Sequence, residues 1–199
     1  MIGLGYIIFF AIYFFFTWFF ARAAQRGIRE RILPKVVGAG IWLIAIAALF
    51  WDVVPIHVVH GRLCEKDGGF VLYKTLDQWS QENPGVIETL EPTDANDSQI
   101  ADTERFVINQ RFVMDITRSE VWHLISQRRD EIVDVQTGEV LARYIDYYTN
   151  LGNPVAGTAR TGWQDYKMWI QIRSCEEGNR EEQIQFNEYK QILESIGRR

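Results

Sequence analysis

The chain has 199 residues, a formal net charge of −5 and 47% hydrophobic residues. Its charge is unevenly placed, because 24 of the 26 acidic but only 16 of the 21 basic residues follow residue 56, which gives that part a net charge of −8. This excess of acid argues against nucleic acid as a partner, since nucleic acid rewards a basic surface. It also argues against tight docking of this part on anionic lipid.

Two apolar runs open the chain, over residues 2–21 and about 36–56. The first contains no charged residue, and the second contains only Asp52, which we expect near a membrane interface. At about 1.5 Å per residue, each run is long enough to cross a hydrocarbon core of about 30 Å. The sequence therefore predicts a transmembrane helical hairpin over residues 1–56. The alternatives are buried helices of a soluble protein or a cleaved signal peptide, but the first run is too long and lacks a basic start.

The link between the runs, residues 22–35, is strongly basic. Its five positive residues are Arg22, Arg26, Arg29, Arg31 and Lys35. Because basic residues in short loops are retained in the cytoplasm, we expect a cytoplasmic link and an N-terminus outside. Residues 57–199 would then form a periplasmic domain anchored in a bacterial inner membrane.

The two predicted spans differ in side-chain size. The first carries ten aromatic residues between Tyr6 and Phe20, whereas small residues recur seven apart in the second, at Gly38 and Ala45 and again at Gly40 and Ala47. Small residues on one helix face allow close helix contact in lipid. Aromatic surface left uncovered would face either lipid or another membrane protein.

The segment after the spans begins with a predicted strand, FVLYKT, at residues 70–75. Thr75 and Gln78 have the spacing of a capping box, which predicts a short helix with Trp79 on its inner face. Asn83-Pro84-Gly85 should end that helix. The polar residues 91–104 are typical of an exposed loop.

The rest of the chain indicates strands followed by a helix. Alternating apolar residues predict strands over 105–117, 121–126 and 166–175, and a hairpin over 131–149 that turns near Thr137-Gly138. A C-terminal amphipathic helix capped by Asn179 is expected, and its apolar stripe is Phe186, Tyr189, Leu193 and Ile196. The predicted fold is thus a membrane-anchored α+β protein, with an antiparallel meander of about five strands, a short helix and a C-terminal helix.

The cysteines and histidines supply the candidate sites. Cys64 and Cys175 both fall in the predicted periplasmic part, where they can form a disulfide or remain buried free thiols. His57, His60 and Cys64 would share one face of a helix and could bind zinc, copper or haem iron. Pro55 and Gly61 oppose a continuous helix there, and interfacial histidines beside a structural cysteine are the alternative. No cofactor is predicted.

The sequence contains no G-x-S-x-G, P-loop, H-E-x-x-H or EF-hand pattern. His123 falls in an apolar strand pattern and is expected to be a core or edge residue. The turn-rich residues 150–162 could be a binding loop or an ordinary connection. No catalytic residue is predicted, although a pair of carboxylates brought together by folding would not be visible in the sequence.

The stretch LCEKDGGFVLYKT, directly after the second span, resembles small proteobacterial inner-membrane proteins with two spans and no known function. The shared features are a Cys, a Lys-Asp pair followed by Gly, and a strand with Val, Tyr and Thr. The resemblance covers about a tenth of the chain. It implies the same membrane topology and no activity.

These patterns favour a non-enzymatic accessory or assembly subunit of a cell-envelope complex. Its partners would be the lipid bilayer and a membrane or periplasmic protein. Two alternatives remain: a periplasmic enzyme or small-ligand-binding domain on a membrane anchor, and a prophage-encoded envelope protein that excludes other phages.

Overall fold

The structure is a computed structural model and describes residues 2–26, 33–91, 98–100, 103–152 and 162–196. Most of the predicted basic link, with Arg29 and Arg31, and most of the 150–162 stretch lie outside these residues. The chain forms two compact units. One comprises Met1–Pro55 with Asn153–Tyr166, and the other comprises Ile56–Gly152 with Lys167–Arg199.

The first unit is built around two helices, α1 (Ile2–Arg26) and α2 (Leu33–Phe50). After a turn at Trp51 and Asp52, α3 (Val53–Asp67) follows. The helical stretches Gly5–Arg26 and Leu33–Asp67 are long and apolar enough to cross a membrane. This agrees with the two apolar runs of the sequence.

Helices α1 and α2 pack along a seam that repeats every three to four residues. The Tyr13 hydroxyl donates to the Ala45 carbonyl at 2.6 Å, and the Phe14 and Trp42 rings stack with centroids 5.6 Å apart. Gly38 is buried in this contact, and a Cβ there would meet the amide of Gln25. A Cβ on Gly40 would meet nothing within 4 Å, and Ala47 is exposed. Only one of the two small-residue pairs therefore serves helix packing.

The second unit contains a six-stranded antiparallel sheet in the order β1-β6-β5-β4-β3-β2. Its strands are β1 (Gly69–Leu72), β2 (Ser98–Ile100), β3 (Thr103–Val107), β4 (Phe112–Trp122), β5 (Ile125–Asp134) and β6 (Val140–Thr149). Strands β2 to β6 form an antiparallel meander, which agrees with the predicted α+β class. The prediction of an exposed loop over residues 91–104 was wrong, because β2 and the start of β3 lie there. Strand β1 joins the far edge beside β6, with Gly69 opposite Ile145.

Three predicted strands were wrong in extent. Residues 105–117 form a hairpin rather than one strand, because the Asn109 side chain accepts hydrogen bonds from the N–H groups of Arg111 and Phe112 and turns the chain. The prediction that the even-numbered residues face the core was still right, because Phe112, Met114 and Ile116 are buried there. The prediction located the face correctly but missed the turn.

The segment 121–126 holds a turn between β4 and β5, so His123 lies in the turn and not in a strand. Leu124 adopts φ 62°, a left-handed conformation that favours glycine and that apolar patterning does not reveal. The segment 166–175 is also not a strand. It contains a 3₁₀ turn at Met168–Ile170, followed by residues 171–174 without regular structure.

Two helices pack on one face of the sheet. Helix α4 (Leu76–Glu82) begins at Thr75 with both hydrogen bonds of the predicted capping box, and its Trp79 is fully buried. Helix α5 (Glu176–Ser195) buries Phe186, Tyr189 and Leu193, with Ile196 packed against the same core. The predicted cap was wrong, because Cys175 is the N-cap residue and Asn179 lies inside the helix.

A buried polar network closes one end of this core. The Asp134 carboxylate accepts hydrogen bonds from Arg111 Nε at 2.6 Å and from the Trp79 indole at 3.0 Å. The Arg111 guanidinium also donates to Gln136 and Asn83, and it lies 5.4 Å from the centroid of the Trp79 ring. The network thereby joins α4, the start of β4 and the end of β5.

Candidate functional site

The candidate site lies along the edge of β6 beyond the end of β1. Strand β1 covers this edge only as far as Ile145. Beyond that point, Thr149 exchanges hydrogen bonds with Ile172: its N–H donates to the Ile172 carbonyl at 2.9 Å, and its hydroxyl accepts from the Ile172 N–H at 2.7 Å. The segment before α5 thus runs beside the end of β6 in place of β1.

Helix α3 supplies the second element of the site. It runs unbroken through Pro55 and Gly61. Pro55 is tolerated because it lies in the first helical turn, where backbone N–H groups have no partner within the helix. His60 and Cys64, four residues apart, therefore lie on the same face of the helix.

A disulfide joins the two elements. Cys64 and Cys175 are bonded, with their Cα atoms 5.7 Å apart and a sequence separation of 111. The predicted pairing is confirmed. The bond links α3 to the residue that begins α5.

His60 is buried beside the disulfide. Its Nε2 lies 2.9 Å from the backbone carbonyl oxygen of Tyr147. Because a carbonyl only accepts hydrogen bonds, Nε2 carries the proton, and Nδ1 is the nitrogen with a free lone pair when the ring is neutral. The Cys64 sulfur lies 3.6 and 3.7 Å from the two ring nitrogens.

Asp146 anchors the other side of the disulfide. Its Oδ1 accepts hydrogen bonds from the N–H of Cys175 at 2.8 Å and from the N–H of Tyr147 at 2.9 Å. Burial raises the pKa of this carboxyl, while the two backbone hydrogen bonds, His60 and Arg128 oppose the rise. Asp146 therefore fixes the backbone of Cys175 as well as carrying charge.

Arg128 faces Asp146 across the β5–β6 pair and extends the cluster to Asp130. Its guanidinium donates two hydrogen bonds of 2.8 Å to the two carboxylate oxygens of Asp130. Burial raises the pKa of Asp130, although Arg128, Arg118 and Lys190 all favour its ionised form. The pair is a geometrically strong, partly exposed ion pair.

The structure thus groups His60 and Cys64 with Cys175, and their possible ligand atoms all lie within 4.8 Å of one another. His57, the third residue of the predicted metal site, is exposed and is not part of this group. With both sulfurs in a disulfide, thiolate ligands are not present. Metal binding by His57, His60 and Cys64 stays a prediction.

Sequence reasoning did not find Asp146, Arg128 or Asp130. The hairpin at Thr137-Gly138 was predicted correctly, and pairing outward from that turn places Arg128 near Asp146. Arg128 and Asp130 share a strand face with the buried Ile132. Charged residues on the same face as a buried apolar residue indicate a polar cluster at the end of the core.

Two apolar surfaces lie apart from this cluster. In the second unit, a groove of about 400 Å³ is lined by Leu76, Ile87, Glu88, Leu90, Ile192, Ser195 and Ile196. In the first unit, one side of α1 carries aromatic rings that α2 does not cover. Phe15 and Phe19 are 59% and 51% exposed on the side of α1 away from its seam with α2. Phe16 instead borders a groove that it shares with Ile41 and Ala45 of α2.

Comparison with known proteins gives no match. No protein family, no curated protein and no solved structure matches the chain. The stretch behind the sequence resemblance forms the end of α3 and all of β1.

Proposed function

We propose that this protein is a membrane-anchored accessory subunit of a cell-envelope complex, which works by contact with another membrane protein and not by catalysis. The observation that carries the proposal is the uncovered aromatic face of α1. Large rings gain much contact area when a partner packs on them. The seam residues Tyr13 and Phe14 are used for α2, so the opposite face is available to a second helix.

The proposed orientation places α1 and α2 in the inner membrane and residues 57–199 in the periplasm. The disulfide supports this placement, because such bonds persist in oxidising compartments and are rare in the cytosol. The basic residues Arg22, Arg26 and Lys35 near the facing ends of α1 and α2 support a cytoplasmic link.

The domain's polar cluster supports a binding role more than a catalytic one. Both carboxylate oxygens of Asp130 are taken by Arg128, and Asp146 is taken by two backbone N–H groups. Groups that are hydrogen-bonded within the fold in this way hold elements together. The exported domain would then present a rigid surface.

A photo-crosslinking amino acid tests the proposal when placed at Phe15 or Phe19, with Phe14 in the seam as the matched control. In native membranes, the outward positions should link to one discrete membrane protein, and position 14 should link only within the chain. The double substitution F15L/F19L should release that protein without changing insertion. Crosslinking from positions 15 and 19 to lipid alone would reject the proposal.

A second candidate function is binding of a small apolar ligand in the groove between α4 and α5. The groove is favoured by its apolar lining, with Leu76, Ile87, Leu90 and Ile192 around it. Glu88 is the titratable residue in that lining, which suits binding better than chemistry. Binding of an environment-sensitive apolar dye that L90E abolishes, with I184E on the outer face of α5 as control, would support this function.

A further inference from the structure

We infer that the His60–Cys64–Cys175 cluster is a redox-convertible metal site, closed as a disulfide and able to bind a thiophilic divalent ion such as Zn²⁺ once reduced. The inference does not depend on the proposed partner contact. It rests on three ligand atoms within 4.8 Å of one another and on the hydrogen bonds that orient them. Two thiolates and an imidazole are a ligand set that zinc prefers.

The histidine already has the tautomer that this role requires. Metal-bound histidines usually donate their other ring N–H to a carbonyl or carboxylate, which fixes the tautomer. In His60, Nε2 donates to the Tyr147 carbonyl and leaves Nδ1 for the metal. A lone pair of Nδ1 aimed straight at the Cys64 sulfur would place Nε2 about 2 Å farther away, yet the two distances are nearly equal. The His60 ring would therefore have to turn before Nδ1 and the Cys64 sulfur could bind the same ion.

The two cysteines are held independently of the bond between them. Cys64 is fixed by α3, and the N–H of Cys175 is fixed by the Asp146 carboxylate at 2.8 Å. Tetrahedral zinc with bonds of about 2.3 Å separates two sulfurs by about 3.7 Å, so they need to move apart by less than about 2 Å. His60 and Cys175 are buried, and a solvent molecule would take the fourth position.

The chemistry balances with a dithiol as reductant. The dithiol gives two electrons and two protons to the Cys64–Cys175 bond and becomes a disulfide itself, leaving two protein thiols. Binding of one divalent ion then releases both thiol protons to solvent. Exchange with a second disulfide re-forms the Cys64–Cys175 bond: that disulfide takes two electrons and, with two protons from solvent, becomes a dithiol. The ion is then released, because a disulfide sulfur is not a thiolate ligand.

Cobalt(II) titration of the full-length protein in detergent tests the inference. Protein treated with a dithiol and then freed of it should bind one Co²⁺ per chain, with a thiolate-to-cobalt absorption band that Zn²⁺ abolishes. Untreated protein should show no such band. C64S and C175S should each abolish it. H60A should weaken binding at least 10-fold, since even outer-shell changes cost 10- to 100-fold.

His57 provides the matched control, because it lies on the same helix but is exposed. H57A should bind Co²⁺ as the parent protein does. Far-ultraviolet circular dichroism must show that the reduced chain stays folded. The inference is overturned if reduced protein unfolds, if it shows no thiolate band, or if H60A and H57A bind equally well.

Discussion

The indole N–H of Trp79 donates to the carboxylate of Asp134 across 3.0 Å, although 55 positions separate the two residues in the chain. The same carboxylate receives Arg111 Nε at 2.6 Å. Trp79 and Asp134 are both fully buried. A single carboxylate thus joins the short helix, the β3–β4 turn and the β5–β6 turn, and its partners must all be present for its burial to be tolerated.

Replacing Arg111 with Met should lower the free energy of unfolding by about 3–5 kcal/mol, because it leaves a buried carboxylate without its cation. Urea denaturation of the detergent-solubilised protein, followed by tryptophan fluorescence, measures the loss. R118M is the control, because the Arg118–Glu104 pair is over 40% exposed on both sides and should contribute less than about 1 kcal/mol. Equal losses in the two variants would contradict a special role for the buried pair.

Acid should weaken the fold through the same residue. The hydrogen bonds from Arg111 and Trp79 hold the pKa of Asp134 below its usual value of 3.8. A lowered folded-state pKa gives stability that is fully present above the unfolded pKa and is lost as the pH falls through the folded pKa. D134N should therefore be less stable at pH 7 and show a shallower loss below about pH 4. Denaturation midpoints between pH 2 and 7 check this.

Asp130 and Asp146 act in the opposite direction, since burial raises the pKa of both. A raised carboxyl pKa favours the folded state at low pH and loses that effect as the pH rises through the folded pKa. D146N keeps an oxygen for the two backbone N–H donors and should leave stability near pH 7 unchanged or higher. D146A removes the oxygen that accepts from both N–H groups and should cost about 1–3 kcal/mol. If the two variants are equally destabilised, the acceptor role is wrong.

The disulfide should contribute about 4–5 kcal/mol, because it closes a loop spanning 111 positions. The double variant C64A/C175A should unfold at correspondingly lower urea concentration while keeping its secondary structure. Mass spectrometry after alkylation under denaturing conditions gives an independent check. Two alkylated cysteines in unreduced protein would show that the bond does not form in the cell.

The basic link should determine orientation. A reporter that is active only in the periplasm, fused after Arg199, should be active, and the same reporter placed in the link should be inactive. Neutralising all five basic residues, Arg22, Arg26, Arg29, Arg31 and Lys35, should give mixed orientation. An expressed but inactive fusion at Arg199 would place the sheet in the cytoplasm.

How much of the fold the sequence predicts depends on the kind of information each element needs. The capping box at Thr75, the stripe of α5 and the turn at Thr137-Gly138 are local patterns, and all three predictions are confirmed. The turns at Asn109 and Leu124 were missed because apolar alternation continues across them and keeps the same face. The segment near Ile172 has the apolar–polar alternation of a strand, which explains the wrong prediction. Its hydrogen bonds to β6 involve only Thr149.

The site shows the same limit. The disulfide could be predicted because two cysteines allow one pairing, but the contact between His60 and Tyr147 joins residues 87 positions apart. His60 can reach the Tyr147 carbonyl because β1 pairs with β6 only as far as Ile145 and leaves the edge beyond it open. Asp146 was invisible for the same reason, since its role depends on the strand register and on the path of the chain before α5.

The disulfide also has a consequence for biogenesis. Cys64 is made first, and its partner follows only after all six strands have been synthesised. Because the sequence has two cysteines, no wrong intramolecular bond can form in the interval, and Cys64 can pair only with a thiol of another molecule. Formation of the bond therefore requires that the whole sheet has been synthesised. An oxidant acting on newly made protein would close the bond in chains that include Cys175, whereas a chain that stops before Cys175 would keep a Cys64 that pairs only with other molecules.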